Sequence, residues 1–376
     1  MRLSVFAILA ALLLAPAARA DTTIAPHAIL IDGTTGTVLL EKDADTPLPP
    51  ASMSKLMTVL MVFERLKAGV LSMDQTFPVS HKAWKMGGSK TFVRVNRRVS
   101  VADLLRGVIV QSGNDASIVI AEGISGSEEA FAEAMTARAR ELGLTSVNFT
   151  NATGWPHPQH EISPRDLARL AQILVTEFPE YYGMFAEREF EFNKIKQRNR
   201  NPLLGRVPGA DGLKTGHTNA AGYGLTASAE RDGRRLYLVL NGLKNSRARA
   251  RESERLIEWG FREFEAYPLV KRGDTVERAA VWLGSVDHVP LVPDRDVVLS
   301  LKRQARSGLK ASVRWTGPVV APVKEGQQLA VLRLEAPGIQ PVEHPLYAGT
   351  DVERVGFFGR IFERMRAMIF GFDPAA

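Results

Sequence analysis

The sequence predicts an α+β fold: an antiparallel sheet covered by helices, followed by a small all-β domain and a C-terminal amphipathic helix. Three observations lead there. Short apolar strands stand at both ends of the first 270 residues, with helical stretches inserted between them. From 274 to 346, short alternating runs are separated by Gly-Asp, Pro-Asp and Gly-Pro breaks. The last segment, 355–372, sorts its apolar and basic residues at a helical period.

Taken in order, residues 1–20 have a basic start at Arg2, an apolar core from Val5 to Leu14, and small residues at Ala18 and Ala20 before Asp21. This is the pattern of an export signal with an A-x-A cleavage site, and its apolar run is too short to span a bilayer. Cleavage would leave 356 of the 376 residues, enough for two or three compact units. It also removes Arg2 and Arg19, so the formal charge falls from +7 to +5. The chain has no cysteine, so neither disulfides nor thiol chemistry contribute. Strands are expected at 28–32 and 37–42 around Gly33-Thr34-Thr35-Gly36, a hairpin signal. Helices are expected at 54–67, 101–110, 128–142 and 165–174. Strands follow at 224–229 and 236–242, then a helix at 251–264 with Leu256, Trp259 and Phe264 on its apolar face. Within the all-β part the clearest runs are 281–283, 297–301 and 329–334. No catalytic set is visible there, so spacing or partner contact is its expected role. The resulting division is 1–20, 21–270, 271–350 and 351–376.

The residues that carry chemistry lie in three motifs: Ser52-Met53-Ser54-Lys55, Ser112-Gly113-Asn114 and Lys214-Thr215-Gly216. Each is common alone, and Ser307-Gly308-Leu309-Lys310 and Ser146-Val147-Asn148 are decoys in the same chain. Order and context separate them. Pro49-Pro50-Ala51 ends an irregular stretch, and Leu56, Met57, Leu60, Met61, Phe63 and Leu66 then recur at helical spacing, so Ser52 is expected to start a buried helix. Lys55, one turn on, shares its face, and its amine can reach the Ser52 hydroxyl. The helix N-terminus favours developing negative charge. No Ser-His-Asp set is visible, so Lys55 is the economical base, kept partly neutral by burial and by Lys214. Ser307 lies in a Val- and Arg-rich alternating stretch with no later S-x-N or K-T-G.

The ordered trio resembles that of the penicillin-recognising serine enzymes. The S-G-N form and the run Lys214-Thr215-Gly216-His217-Thr218 are more similar to the serine-type D-alanyl-D-alanine carboxypeptidases, low-molecular-mass penicillin-binding proteins, than to class A β-lactamases. Similar context surrounds them in Leu104-Leu105-Arg106-Gly107, Gln111-Ser112-Gly113-Asn114-Asp115-Ala116 and Ala221-Gly222-Tyr223, and the likeness spans most of the mature chain. It implies a β-lactamase/transpeptidase-like catalytic fold and removal of the terminal D-alanine from peptidoglycan pentapeptide stems through a Ser52 acyl-enzyme. β-Lactam antibiotics would inhibit, and no cofactor or metal is needed. In the family's pattern Ser52 is the nucleophile, Lys55 its base, and Ser112 the donor to the leaving nitrogen. Asn114 holds the peptide amide, and Lys214, Thr215 and Thr218 hold the terminal carboxylate. The amides of Ser52 and His217, the residue after Gly216, bind the oxyanion. Arg249 joins the carboxylate set by its spacing ten residues before Trp259; the alternative places it in a solvated run with Lys244, Arg247 and Arg251.

Other readings are a D,D-endopeptidase on peptidoglycan cross-links, a β-lactamase, and a non-catalytic wall-binding protein. The segment 151–160 carries no acid to drive deacylation, although Glu161 follows it. His157 and His160 lack a third ligand, and Pro156 and Pro158 deny them a helix, which argues against zinc. His160 is expected at the rim of the cleft, and Trp155 stands where the family usually has leucine. Export and the absence of interleaved aromatics argue against nucleic acid as the partner of Arg94, Arg97 and Arg98. The segment 355–372 puts Phe357, Phe358, Ile361, Phe362, Met365 and Ile369 on one arc of roughly 160°. Such a helix fits an anionic bilayer interface or a berth on its own β domain. The resemblance favours an anchor on the periplasmic face of the inner membrane.

Overall fold

A computed structural model describes residues 22–356 and residue 361. The export segment and, apart from Val355, Gly356 and Ile361, the amphipathic segment lie outside them. Val355 donates its backbone N–H to Leu283 at 3.0 Å and is not helical, so a helix does not begin there as the pattern suggested. Among the described residues, no helix is long and apolar enough to cross a membrane.

The central sheet has five antiparallel strands in the order Val38–Lys42, His27–Asp32, Arg234–Leu243, Gly222–Arg231, Ala210–Thr218. The N-terminal hairpin thus joins strands from some two hundred residues later, with Ile29 opposite Val239. The inner strands are buried on both faces because helices cover both. Ser246–Glu263 packs Leu256, Ile257 and Trp259 against Leu30, Leu225 and Leu238 on one side. Pro164–Glu177 and the helices around it cover Ile29 and Val239 on the other.

Lys55–Lys67 lies at the centre of that second layer, in contact with Val101–Ile109, Asn114–Ser125, Glu128–Glu141 and Pro164–Glu177. Its apolar residues face all round, as a fully enclosed helix requires. The helix starts at Lys55. Ser52 belongs to the 3₁₀ turn Ala51–Ser54 before it, a tighter entry than the expected helix start at Ser52. The helix expected at 251–264 begins earlier, at Ser246, where Asn245 Oδ1 accepts from Ala248 N at 2.8 Å. Its first turn is basic and hid the apolar period.

The expected runs of the β-rich part lie within Glu277–Trp282, Val297–Lys302 and Gln328–Glu335, although Leu283 falls just outside the first. Six strands form one sheet, and Phe264–Val270 pairs with Val297–Lys302. By that pairing the chain enters the β-rich unit at Phe264, earlier than the division at 270. A buried polar contact joins the two units. Asp32, wholly buried, accepts from Arg234 Nε and from Ser300 Oγ, each at 2.6 Å.

Candidate active site

The turn Ala51–Ser54 is wedged between two glycines. A Cβ on Gly154, whose φ is +76°, would lie 2.0 Å from Ala51 O, and one on Gly216 would lie 2.6 Å from Pro50 O. Only glycine lets these two segments close on the turn. Ala51 itself has φ +49°, and Ser112, across the site, has φ +65°. Both are left-handed non-glycine residues held by their surroundings.

Lys55 has no solvent exposure. Its Nζ lies 3.0 Å from Ser52 Oγ and donates to Asn114 Oδ1 at 2.7 Å and to the carbonyl of Thr153. Burial, with Arg200 adding to it, lowers its pKa to about 7, against the opposing pull of Asp115 and Glu128. Arg200 is thus a further cation acting on Lys55 beside the expected Lys214, whose coupling to Lys55 lowers its own pKa. Lys214, only 2% exposed, is held well below the ordinary lysine range by burial and then by Lys55, Arg200 and Arg249. Its Nζ donates to Ser112 Oγ at 2.8 Å and to Thr215 O at 3.1 Å.

Two of the residues expected to contact substrate also have partners within the protein. Asn114, the first residue of its helix, donates Nδ2 to Gly87 O at 2.9 Å while Oδ1 accepts from Lys55. These bonds set Asn114 beside Lys55, and each uses only one of the two hydrogen-bonding positions at its end of the amide, so a contact with the stem amide stays compatible with them. Thr218 Oγ1 accepts from Ala221 N at 3.0 Å, which ties it to the turn into the next strand. It lines a cavity next to the one lined by His217.

Ser52, Ser112, Thr215, Gly216, His217 and Arg249 do share one cleft, of about 440 Å³. His217 packs on its cross-strand partner Tyr223, with ring centroids 3.9 Å apart, and the Arg249 guanidinium lies 5.7 Å from the Tyr223 ring. Arg249 Nε is buried without a partner, whereas Lys244, Arg247 and Arg251 are exposed and form the solvated run. The sequence reading missed Arg200 and Ser89. Both line the cleft, with Arg200 Nη1 donating to Ser89 Oγ at 2.6 Å. It also missed Asp115, whose buried carboxylate accepts from the backbone N–H groups of Thr91, Phe92 and Val93 at 2.8, 2.8 and 3.2 Å. That carboxylate folds the loop carrying Ser89 over the site. The S-G-N-D run displayed Asp115, but only the fold reveals what it holds.

No acidic side chain lines the cleft. Among the described residues no group of three His, Cys, Asp or Glu is arranged to hold a metal. His160 is buried, 2% exposed, and accepts from Thr150 N through Nδ1 at 3.1 Å; His157 is exposed.

A serine beside a buried lysine, a second serine held by a second lysine, and a cationic cleft at the edge of a helix-covered antiparallel sheet define a penicillin-recognising serine acyl-transfer enzyme. The comparisons narrow the class. The Peptidase_S11 family model, D-alanyl-D-alanine carboxypeptidase, matches residues 15–245, and the penicillin-binding protein 5 C-terminal domain model matches 264–354. The chain belongs to the D-alanyl-D-alanine carboxypeptidase family. It is 40% identical over 343 residues to the D-alanyl-D-alanine carboxypeptidase DacC of Escherichia coli (strain K12), covering 89% of this chain and 86% of that protein. It is 35% identical over 339 residues to DacF of Bacillus subtilis (strain 168), covering 89% and 87%. The crystal structure of penicillin binding protein 5 from Haemophilus influenzae superposes with a TM-score of 0.79 at 35% identity, covering 88% of this chain and 98% of that one.

Proposed function

We propose that the chain removes the terminal D-alanine from peptidoglycan pentapeptide stems through an acyl-enzyme on Ser52, with Lys55 as its base. The observation that carries this reading is the place of Lys55, fully buried with its Nζ 3.0 Å from Ser52 Oγ. A neutral amine has two N–H groups and one lone pair. As the ammonium, Nζ donates to Ser52 Oγ at 3.0 Å, to Asn114 Oδ1 and to Thr153 O; in the neutral form Asn114 and Thr153 take the two N–H groups and the lone pair faces the Ser52 hydroxyl. A pKa lowered to about 7 keeps a large neutral fraction at neutral pH.

Lys55 takes the Ser52 proton as Oγ attacks the carbonyl of the penultimate D-alanine. The backbone N–H groups of Ser52 and His217 receive the oxyanion. Ser112 gives its proton to the leaving nitrogen, the C–N bond breaks, and Lys214, at 2.8 Å, restores that proton. D-Alanine departs with its carboxylate, which Thr215, Arg200 and Arg249 hold in the interval. The proton that Lys55 took from Ser52 passes to Lys214, which returns both amines to their starting states. Water then attacks the ester and gives its proton to Lys55, the C–O bond to Ser52 breaks, and Ser52 Oγ takes that proton back as the stem leaves. No acid lines the cleft as the second, dedicated base that drives water onto a penicilloyl ester in class A β-lactamases, which supports inhibition by penicillin over its destruction.

The sequence pattern further supports export through 1–20, action in the periplasm, and attachment to the inner-membrane surface through 351–376. Deleting 351–376 should release the protein from membranes, and continued recovery with membranes would defeat that assignment. The catalytic reading is tested by mass spectrometry after incubation with penicillin, beside an assay of D-alanine release from diacetyl-L-Lys-D-Ala-D-Ala. An adduct on Ser52 with release of D-alanine is expected; an adduct without release would shift the reading to a wall-binding receptor.

A further inference from the structure

Behind the cleft, one carboxylate joins the two segments that hold Lys55 and Asn114. Glu128, the first residue of the helix Glu128–Glu141, is only 8% exposed. Its Oε1 accepts from Ala152 N at 3.2 Å, and its Oε2 lies 3.0 Å from Lys82 Nζ. The carbonyl of Ala152 accepts from Thr58 Oγ1 at 2.9 Å, and the next carbonyl, of Thr153, accepts from Lys55 Nζ. Lys82 belongs to the short helix His81–Lys85. The residues after that helix bring Gly87 O to Asn114 Nδ2 at 2.9 Å and Ser89 to the wall of the cleft.

The hydrogen bond from Ala152 needs an acceptor but not a charge, and an amide oxygen would serve it equally well. The charge acts elsewhere. On the outer side it meets Lys82, which also reaches Glu129 at 2.8 Å. On the inner side it is felt at Lys55, where Asp115 and Glu128 oppose the lowering of the pKa by burial and Arg200. Lys214 faces Lys55 from the sheet, and its own pKa is depressed by that neighbour. His160 is the other titratable group there; burial and then Lys55 lower its pKa to about 4, so it stays neutral around pH 7. Asp115 is already committed to the backbone N–H groups of Thr91, Phe92 and Val93, which leaves Glu128 as the carboxylate joined to the segment under Lys55.

We propose that Glu128 is a positioning residue for acylation: its carboxylate holds segment 151–153 where the Thr153 carbonyl can receive Lys55, and its negative charge offsets part of the cationic field on that amine. The inference rests on the reading of Lys55 as the base of Ser52. Without the acceptor, Ala152 N would lie buried with its bond unmade, and the Thr153 carbonyl beside it would lose its support. Without the charge, Lys55 would give up its proton more readily, and the neutral base would persist to lower pH.

The test is the rate of Ser52 acylation by a chromogenic cephalosporin, followed by stopped flow against pH. In the wild-type protein the rate should fall on the acid side with a midpoint near 7. Glu128→Gln, which keeps an acceptor for Ala152 N and loses the charge, should move that midpoint down by on the order of half a unit. Glu128→Ala, which loses both, should lower the plateau by on the order of tenfold, and Glu128→Gln should restore most of that loss. A contact that served only the fold would leave the midpoint where it is. A midpoint unmoved in Glu128→Gln therefore overturns the inference, and it decides alone if Glu128→Ala does not fold. A wild-type profile with no fall near 7 removes Lys55 as the base and takes the inference with it; the expected wild-type fall with an unmoved Glu128→Gln midpoint sinks the inference alone.

Discussion

The cleft and the junction between the two units both bury charged side chains, and they are wired in opposite ways. At the junction, Asp32 meets Arg234 and Ser300 at 2.6 Å each, and Arg234 Nη1 donates to Phe264 O at 2.7 Å. In the cleft, Lys55 and Lys214 are enclosed and Arg200 and Arg249 converge on them, with no carboxylate in the lining. A paired buried charge holds structure together. An unpaired one is held at a cost, and its perturbed pKa and unmet hydrogen bonds are what a reacting anionic substrate can use. The first region should therefore report on stability and the second on chemistry.

The largest effect separating them should be Ser52→Ala, which removes the attacking oxygen: no covalent penicillin adduct by mass spectrometry, with an unchanged melting transition. Lys55→Met should come next, slowing acylation by roughly 10²–10⁴-fold in stopped-flow measurements. At the junction the expectation reverses. Asp32→Ala leaves the part-buried Arg234 without its carboxylate and should lower unfolding free energy by about 2–3 kcal/mol in urea titrations, with the acylation rate of the folded protein retained. Loss of acylation at unchanged stability would show that the junction acts in the chemistry and not in holding the fold. Arg249→Ala should raise KM for the carboxylate-bearing peptide by roughly tenfold, the effect of one charge-assisted hydrogen bond, with a smaller change in kcat. The smallest effect is the pH profile. Since Lys55 must be neutral to act and its pKa is lowered to about 7, acylation should fall as pH drops through that value, to about a tenth of its plateau one unit below.

The parts of this site legible in the sequence are those that sit close together along the chain. Ser52 and Lys55 are three residues apart, and the motif order was enough to bring in Ser112 and Lys214. Arg200 lies in the loop between Ile195–Arg198 and Ala210–Thr218 with no motif around it, so only tertiary structure reveals its place in the cleft. Asn114 and Thr218 were identified by motif position, but their partners, Lys55 and the turn at Ala221, depend on how strand and helix meet. The helix Asn114–Ser125 escaped because Ile118, Val119 and Ile120 run consecutively, which gives no amphipathic period in an element buried on several sides. The hairpin 28–42 was readable from its turn. That its partner would be Arg234–Leu243 followed only from strands lying at both ends of the first unit.

Whether Lys55 is a largely neutral amine at neutral pH is read most directly from its titration by NMR with ¹³C-labelled lysine, the resonance assigned by its loss in Lys55→Met. A midpoint near 7 is predicted. A Lys55 that stays charged until the ordinary lysine range would contradict that neutrality and leave Ser52 without its base.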